Sequence, residues 1–343
     1  MKHKTLVGAV ALTLAAVAAP PVLADEIADM YRGRTITILL GYGAGGTYGK
    51  TSLLLARHLG KFIPGNPTIV VQHMPGAGGL KSANFAYNAM PKQGYNLHMP
   101  PDMSMVSQVL RPNKVKYDAR NFTWLGRVFG SNGLVAVRRD TGVTSIKQAQ
   151  MNTVIMGSTG KGSPTFIVTS LVNGLVGTKF KIVTGYKGSA RTKLAMEQGE
   201  VRGISLAWAS WKNDKEAWFK GANSFAVGLI QSGFTRDKDW PNTPLIRELV
   251  SDPDQKAAAD LIATSSLIGR GLVLPPGAPK KLVEPLCEAF WKTVNSAGFI
   301  ADAKKTRLPL LQKRGAEIQK TAIRILNMSP KAVAVARKAI FGK

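Results

Sequence analysis

Residues 36–51 read ITILLGYGAGGTYGKT, and this stretch decides the fold. The apolar run at residues 36–40 predicts a buried strand, and the glycine-rich turn after it leads into a helix through Leu55 and Leu59. A second strand is predicted at residues 68–71, again followed by glycines and a helix. Strand, loop and helix therefore alternate, which is the order of a parallel sheet.

Short apolar runs continue through the rest of the chain. They predict strands at residues 134–137, 153–156, 179–183, 201–206, 225–230 and 268–274. Helical patterns lie between them, and the C-terminal remainder is mostly helical. We therefore predict an α/β protein of two lobes, each a mostly parallel sheet flanked by helices. Residues 25–127 with 245–343 would form the first lobe and residues 128–244 the second, with crossings near 126–133 and 230–244.

The first 24 residues are typical of a secretory signal peptide. Lys2 and Lys4 precede an apolar run at residues 5–19, which is shorter than the roughly 20 residues that span a bilayer. Val22 and Ala24 are small residues at the third and first positions before a cut after Ala24, and they predict cleavage there. We expect a periplasmic protein with no integral membrane segment after removal of the signal. The single cysteine, Cys287, cannot form an intrachain disulfide and is expected to be a small buried residue.

The chain is strongly basic. Its formal net charge is +26, and removing Lys2 and Lys4 with the signal peptide leaves +24. Such a charge favours anionic partners of every kind. The sequence has no zinc-ligand spacing, no ribonucleoprotein-type aromatic motif and no basic-region heptad, so nucleic acid is not a predicted partner.

The first glycine loop contains two overlapping nucleotide-binding patterns. Gly41, Gly43 and Gly46 fit the dinucleotide fingerprint, and residues 44–51 fit a relaxed phosphate loop. The first pattern lacks an acid after the second strand to hold a ribose, and the second lacks an apolar strand that ends in a magnesium-binding Asp. The physical feature that both patterns share is not specific to nucleotides. Glycines let the backbone approach a ligand, and a helix N-terminus binds a carboxylate as well as a phosphate.

Two more loops have the same character. Residues 157–165 and 185–191 each follow a strand, precede a helix and offer hydroxyl groups and a cation. The four histidines, His3, His58, His73 and His98, have no metal-ligand spacing and no neighbouring nucleophile. We therefore predict no catalytic residue, no metal and no cofactor, which favours a binding protein over an enzyme.

Several motifs resemble, in collinear order, the substrate-binding proteins of tripartite tricarboxylate transporters, the Bordetella uptake gene family. They are the strand and loop at residues 36–47, Pro75-Gly76-Ala77-Gly78-Gly79, the turn at residues 91–95, Tyr186-Lys187-Gly188-Ser189-Ala190, and the strand and turn at residues 272–279. The resemblance extends from about Arg34 to the last helices.

The resemblance implies a type II periplasmic-binding-protein fold that closes on its ligand. It also implies that a carboxylate is held by the first loop and by the facing loop at residues 157–165. The ligand-binding residues carried over in this way are Gly43, Ala44, Gly45, Gly46, Thr47, Tyr48, Ser158, Thr159, Ser163 and Thr165, with Gly188 and Ser189 close by.

The sequence departs from the family pattern at three places. The family commonly has an Asp where this chain has Thr47-Tyr48-Gly49, an acid at the position of Arg202, and an aromatic pair at Gly269-Arg270. These changes favour a ligand with more negative charge, or an aromatic acid that stacks on Tyr48 or Trp208. Arg270 is the cation we expect to act as a direct counter-ion.

The predicted function is capture of a small organic anion, closure of the lobes and delivery to membrane transporter subunits, by a protein that acts as a monomer. A periplasmic sensor that presents its liganded form to a receptor is the nearest alternative. A cationic exported protein that binds polyanions and an extracytoplasmic hydrolase are alternatives of other classes.

Overall fold

The computed structural model describes residues 21–342, with side chains from residue 25 onward. The predicted signal peptide and its cleavage site lie outside the residues with described side chains. The strands are β1 (Thr35–Leu40), β2 (Thr68–His73), β3 (Asn96–Met99), β4 (Thr123–Phe129), β5 (Gly133–Arg138), β6 (Val154–Ser158), β7 (Phe180–Thr184), β8 (Gly203–Ala207), β9 (Ala226–Ser232), β10 (Arg270–Leu274) and β11 (Lys313–Arg314).

The helices surround these strands. They are α1 (Pro21–Tyr31), α2 (Thr47–His58), α3 (Leu80–Asn88), α4 (Ser104–Leu110), α5 (Ile146–Met151), α6 (Pro164–Val176), α7 (Ser189–Glu197), α8 (Trp208–Asp214), α9 (Pro253–Ala263), α10 (Ser265–Ile268), α11 (Val283–Asn295), α12 (Ala297–Lys305), α13 (Gly315–Leu326) and α14 (Pro330–Phe341). None of the described helices is long and apolar enough to cross a membrane.

The strands form two sheets, so the α/β prediction is confirmed. The first sheet has the order β11-β4-β10-β3-β1-β2 and the second the order β7-β6-β8-β5-β9. We call the parts built on them the first lobe and the second lobe. The predicted residue boundaries of the lobes stay a prediction.

The expectation of mostly parallel sheets is corrected, because both sheets are mixed. In the first sheet β1 runs parallel to β2 and β3, whereas β10 is antiparallel to β3 and β4. In the second, β6 is parallel to β7 and β8, whereas β5 is antiparallel to β8 and β9. In the first sheet β10 and β11 run opposite to the other four strands, and in the second sheet β5 runs opposite to the other four.

The first strand is buried on both faces, as its continuous apolar run predicts. Ile36, Ile38 and Leu40 pack with Leu54 of α2 and Phe290 of α11. Leu39 points to the other face and belongs to a different cluster, which includes residues of α3. Alternating side chains of one strand therefore anchor helices on both sides of the sheet.

His98 is a buried titratable group in this sheet. Its Nδ1 lies 3.0 Å from the Leu39 carbonyl oxygen and therefore carries the proton that is donated, and its Nε2 makes no hydrogen bond within the described residues. Burial lowers the pKa of His98 from 6.5 to about 4, against the opposing effect of the Leu39 hydrogen bond.

Acid is therefore expected to destabilise the protein through His98. The unfolded chain binds a proton on this side chain below its ordinary pKa while the folded chain does not, so stability is lost as the pH falls from about 6.5 towards about 4. The pKa difference corresponds to about 3 kcal/mol. Urea unfolding at both ends of this range should show a smaller loss for His98→Asn than for wild type. A matched His73→Asn variant should behave as wild type, and equal losses in all three would contradict the assignment.

Candidate functional site

A cavity lies between the two lobes at the end of β1. Its volume is about 50 Å3, enough for several water molecules, since each needs about 10–15 Å3 of such space. The lining residues are Tyr42, Gly43, Gly46, Thr47, Tyr48, Asp102, Ser131, Gly133, Thr159, Pro164, Thr165, Val168, Ser189, Ser205, Leu206, Ala207, Ser210, Ser232, Ser265 and Arg270.

Three helices begin at this cavity. Thr47 is the first residue of α2, Pro164 the first of α6 and Ser189 the first of α7, and all three line the space. The first N–H groups of a helix have no partner inside it, and the helix dipole makes this end positive. The convergence of three such ends from both lobes suits a carboxylate or another small anion.

Hydroxyl groups fix the loop that leads into α6. The Thr165 hydroxyl accepts from the Thr159 backbone N–H at 3.0 Å, and lies 3.0 Å from the Ser158 Oγ and 2.6 Å from the Ser163 Oγ. Ser158 also accepts from the Gly160 N–H at 3.1 Å. The network therefore pre-organises Thr159 and Thr165 at the cavity, while Ser158 and Ser163 lie behind the lining.

The lobes contact each other directly around the cavity. The Gly43 N–H donates to the Lys187 carbonyl at 3.0 Å. The Thr47 and Ser210 hydroxyl oxygens are 2.9 Å apart, and the Lys50 ammonium donates to the Asn213 amide oxygen. The structure is therefore a closed form, in which a ligand in the cavity would be surrounded by both lobes.

An ion pair forms one wall. The Arg270 Nη1 lies 2.7 Å from the Asp102 Oδ2, and both side chains are only 6% exposed. The guanidinium carbon lies 4.2 Å from the centre of the Tyr48 ring, and the Tyr48 hydroxyl accepts from the Asp102 backbone N–H at 2.8 Å. Arg270 is therefore held by a carboxylate of this chain and by an aromatic face.

The groups in this wall have shifted pKa values. Burial raises the pKa of Asp102, and the charge of Arg270 opposes that rise. Burial lowers the pKa of Arg270, but Tyr48 and Asp102 outweigh it, so the net shift is upward. Burial also raises the pKa of Tyr42 and Tyr48, so both phenols are neutral. The pair is charged because a lone buried guanidinium would be left uncompensated.

The cavity brings together residues that are far apart in the sequence and that were predicted to bind the ligand. Those that line it are Gly43, Gly46, Thr47, Tyr48, Thr159, Thr165, Ser189 and Arg270. The predicted residues that do not line it are Ala44, Gly45, Ser158, Ser163, Gly188 and Trp208.

Two basic or aromatic residues singled out in the sequence have other partners. The Trp208 Nε1 donates to Asp239 at 2.8 Å, and its ring packs on Phe219 and Trp240. It faces a larger side cleft of about 870 Å3. Arg202 donates to Asp140 at 2.9 Å on the surface. Neither is among the residues that line the cavity.

Sequence reasoning missed several lining residues. They are Tyr42, Asp102, Ser131, Gly133, Pro164, Val168, Ser205, Leu206, Ala207, Ser210, Ser232 and Ser265. Asp102 had a usable signal, because it follows β3, and ligands bind beyond the carboxyl ends of parallel strands. Isolated serines carry no such signal. No group of three or more His, Cys, Asp or Glu side chains in the described part of the chain could hold a metal ion.

Comparisons with known proteins bear on the fold. No family model matches the chain. A Cupriavidus necator protein described as "UPF0065 protein in gbd 5'region" is 24% identical over 309 residues, which cover 87% of this chain and 86% of the relative. The solved periplasmic binding protein BugD superposes with a TM-score of 0.71 at 16% identity, over 90% of this chain and 98% of BugD. The fold is that of the Bug periplasmic binding proteins.

Two further structures share the Bug fold. An R. palustris protein with adipate gives a TM-score of 0.67 at 19% identity, over 88% of this chain and 97% of that one. MatC from Rhodopseudomonas palustris with bound malate gives 0.66 at 16% identity, over 86% and 98% of the two chains. The predicted resemblance and the predicted fold are both confirmed.

Proposed function

We propose that this protein is a periplasmic solute-binding protein that captures a small organic anion, a carboxylate, in the cavity between its lobes. The observation that carries the proposal is the convergence of three helix N-termini and several hydroxyl groups from both lobes on one enclosed space. Two neighbours with the same fold hold adipate and malate. A carboxylate on the helix ends would bridge the lobes and favour the closed form.

The proposed ligand contacts are the backbone N–H groups and hydroxyls of Thr47, Thr165 and Ser189 and the hydroxyl of Thr159, with Gly43 and Gly46 letting the backbone approach the ligand. Ser158 and Ser163 would act through Thr165 rather than by contact. The cavity lining offers hydroxyls and an ion pair, with no histidine or cysteine among the described residues that form it. Binding without chemical change therefore fits better than hydrolysis.

Delivery to membrane subunits of a tripartite tricarboxylate-type transporter completes the proposed role, with the closed monomer as the docking form. On closure the surfaces of the first and second lobes around the cavity would move closer together. A membrane partner could therefore distinguish liganded from empty protein. A sensor would use the same closure to present the liganded form to a receptor.

A carboxylate ligand is expected to raise the melting temperature of residues 25–343 and to keep most of its affinity when salt is raised. A ligand enclosed by buried donors is screened little by salt. A polyanion on the basic surface would instead lose about a thousandfold in affinity over a roughly fourfold increase in salt. The measurement is a thermal-shift screen of mono-, di- and tricarboxylates, nucleotides and heparin at two salt concentrations.

The screen separates the alternatives. Recovery of the stabilising carboxylate unchanged after long incubation would support binding without reaction, and its conversion would favour a hydrolase. Stabilisation by heparin alone, lost in salt, would replace the proposal by polyanion binding.

A further inference from the structure

The cavity has an unusual charge balance for a basic protein. The chain carries a net charge of +26, yet among the described residues that line the cavity the charged side chains are Asp102 and Arg270. These two neutralise each other at 2.7 Å. A ligand carboxylate inside the cavity therefore meets helix ends and hydroxyls, but no unpaired cation among the described lining residues.

The pair retains hydrogen-bonding capacity that the protein does not use. The Asp102 Oδ1 and the Arg270 Nε are both buried and make no hydrogen bond within the described residues. Arg270 is otherwise occupied by Asp102, by a long 3.5 Å contact to the Thr47 hydroxyl and by the Tyr48 ring. A buried carboxylate oxygen without a donor is costly, so the ligand or a water must supply one.

We propose that Asp102 sets the charge preference of this site, so that it favours carboxylates with a neutral or cationic second group over di- and tricarboxylates. The inference rests on the proposed function, since it concerns the ligand of the same cavity. One carboxylate lies at the helix N-termini, and a hydroxyl or ammonium group of the ligand donates to the Asp102 Oδ1.

The physical basis is repulsion at short range. In a cavity this small, a second ligand carboxylate comes close to the Asp102 carboxylate, and like charges in a poorly solvated site repel strongly. Arg270 offsets this repulsion only in part for a group placed at the Asp102 Oδ1, because the guanidinium is bonded to the Oδ2 of the carboxylate. The site therefore selects against di- and tricarboxylates through an unfavourable contact with Asp102. It reverses the expectation from sequence that basic substitutions near the cleft favour more negative ligands.

The test uses two sets of probes that differ only in the terminal group. The shorter set is butyrate, 4-aminobutyrate and succinate, and the longer set is hexanoate, 6-aminohexanoate and adipate. Isothermal titration of residues 25–343 is expected to give at least about tenfold tighter binding of the amino acid than of the dicarboxylate within the set that fits the site. This ranking needs no variant and is independent of any folding defect.

The variant Asp102→Asn should reverse the ranking by strengthening dicarboxylate binding about tenfold or more, because the repulsive charge is removed and Arg270 is released. The matched control is Asp260→Asn, an acid in α9 that pairs with Arg247 outside the cavity, and it should keep the wild-type ranking. Circular dichroism checks that both variants are folded.

The outcomes separate the two proposals. Tighter binding of succinate or adipate than of the amino acids by the wild type would overturn the role of Asp102 and leave carboxylate binding intact. An unchanged ranking in Asp102→Asn would do the same. Failure of every carboxylate to bind the wild type would overturn the proposed function and this inference with it.

Discussion

Replacing Arg270 by methionine is expected to lower the free energy of unfolding by about 3–5 kcal/mol, because Asp102 is left as a buried charge without a partner. Both side chains are 6% exposed and no other cation lines the described part of the cavity. Urea unfolding followed by tryptophan fluorescence measures the loss. Replacing both partners by apolar residues should change the free energy of unfolding little. Replacing only one of them leaves a buried charge without a partner, which is costly.

The double variant Arg270→Met with Asp102→Leu tests this reasoning. It removes both charges and should recover most of the lost stability. Arg202→Met is the matched surface control, since Arg202 and Asp140 are 44% and 47% exposed, and it should cost at most about 1 kcal/mol. A small loss in Arg270→Met, or a double variant no more stable than the single one, would contradict the account of the pair.

The fold was predictable where local patterns agree with burial. The continuous apolar run of β1 can only be buried on both faces, and the glycine loop after it has the strand-loop-helix context that was predicted. Strand β4 was missed because Gly126 and Arg127 interrupt its apolar run. Gly126 is there because a Cβ would lie 2.4 Å from the Phe290 ring, and Arg127 is buried because its guanidinium donates to the Leu311 carbonyl at 3.0 Å. Both reasons are tertiary contacts that no local pattern contains.

The site was predictable at its helix starts and not at its walls. Glycines and hydroxyls at a strand-to-helix junction pointed to the three loops from short segments alone, and the family resemblance then named Thr47, Thr165 and Ser189 within them. Arg270 was expected to pair directly with the ligand. Its partner within the protein, Asp102, was not predicted because it lies 168 residues away in the sequence. Asp102 follows β3 at the same sheet edge as the first loop, so the topology, once known, explains the pair.

Closure of the lobes is expected to fail in Gly162→Ala. Gly162 lies in the loop before α6 and faces the first lobe, where an added Cβ would come within 2.7 Å of the Ala77 carbonyl oxygen and 2.7 Å of the Leu80 Cγ. These atoms are backbone and buried core, so they cannot move aside cheaply. Its backbone does not lie in the left-handed region, so the substitution adds little strain within its own loop.

The measured consequence should be a loss of affinity rather than of stability. Apparent affinity falls in proportion to the population of the binding-competent form. Because Gly162→Ala should make the closed state rare, we expect it to weaken carboxylate binding about tenfold to a hundredfold. Small-angle scattering with saturating ligand should give a larger radius of gyration than for wild type. Gly298→Ala is the matched control, because an added Cβ there meets only His58 at 3.4 Å within the first lobe.

The same variant distinguishes two ways in which the cavity could bind. If the contacts of one lobe were sufficient, Gly162→Ala would bind with wild-type affinity in an open form, and the cross-lobe contacts such as that between Thr47 and Ser210 would be incidental. If affinity and compaction are lost together while unfolding is unchanged, ligand energy is being used to hold the lobes closed. The proposed delivery requires that coupling, because a membrane partner would then recognise the loaded protein by its shape.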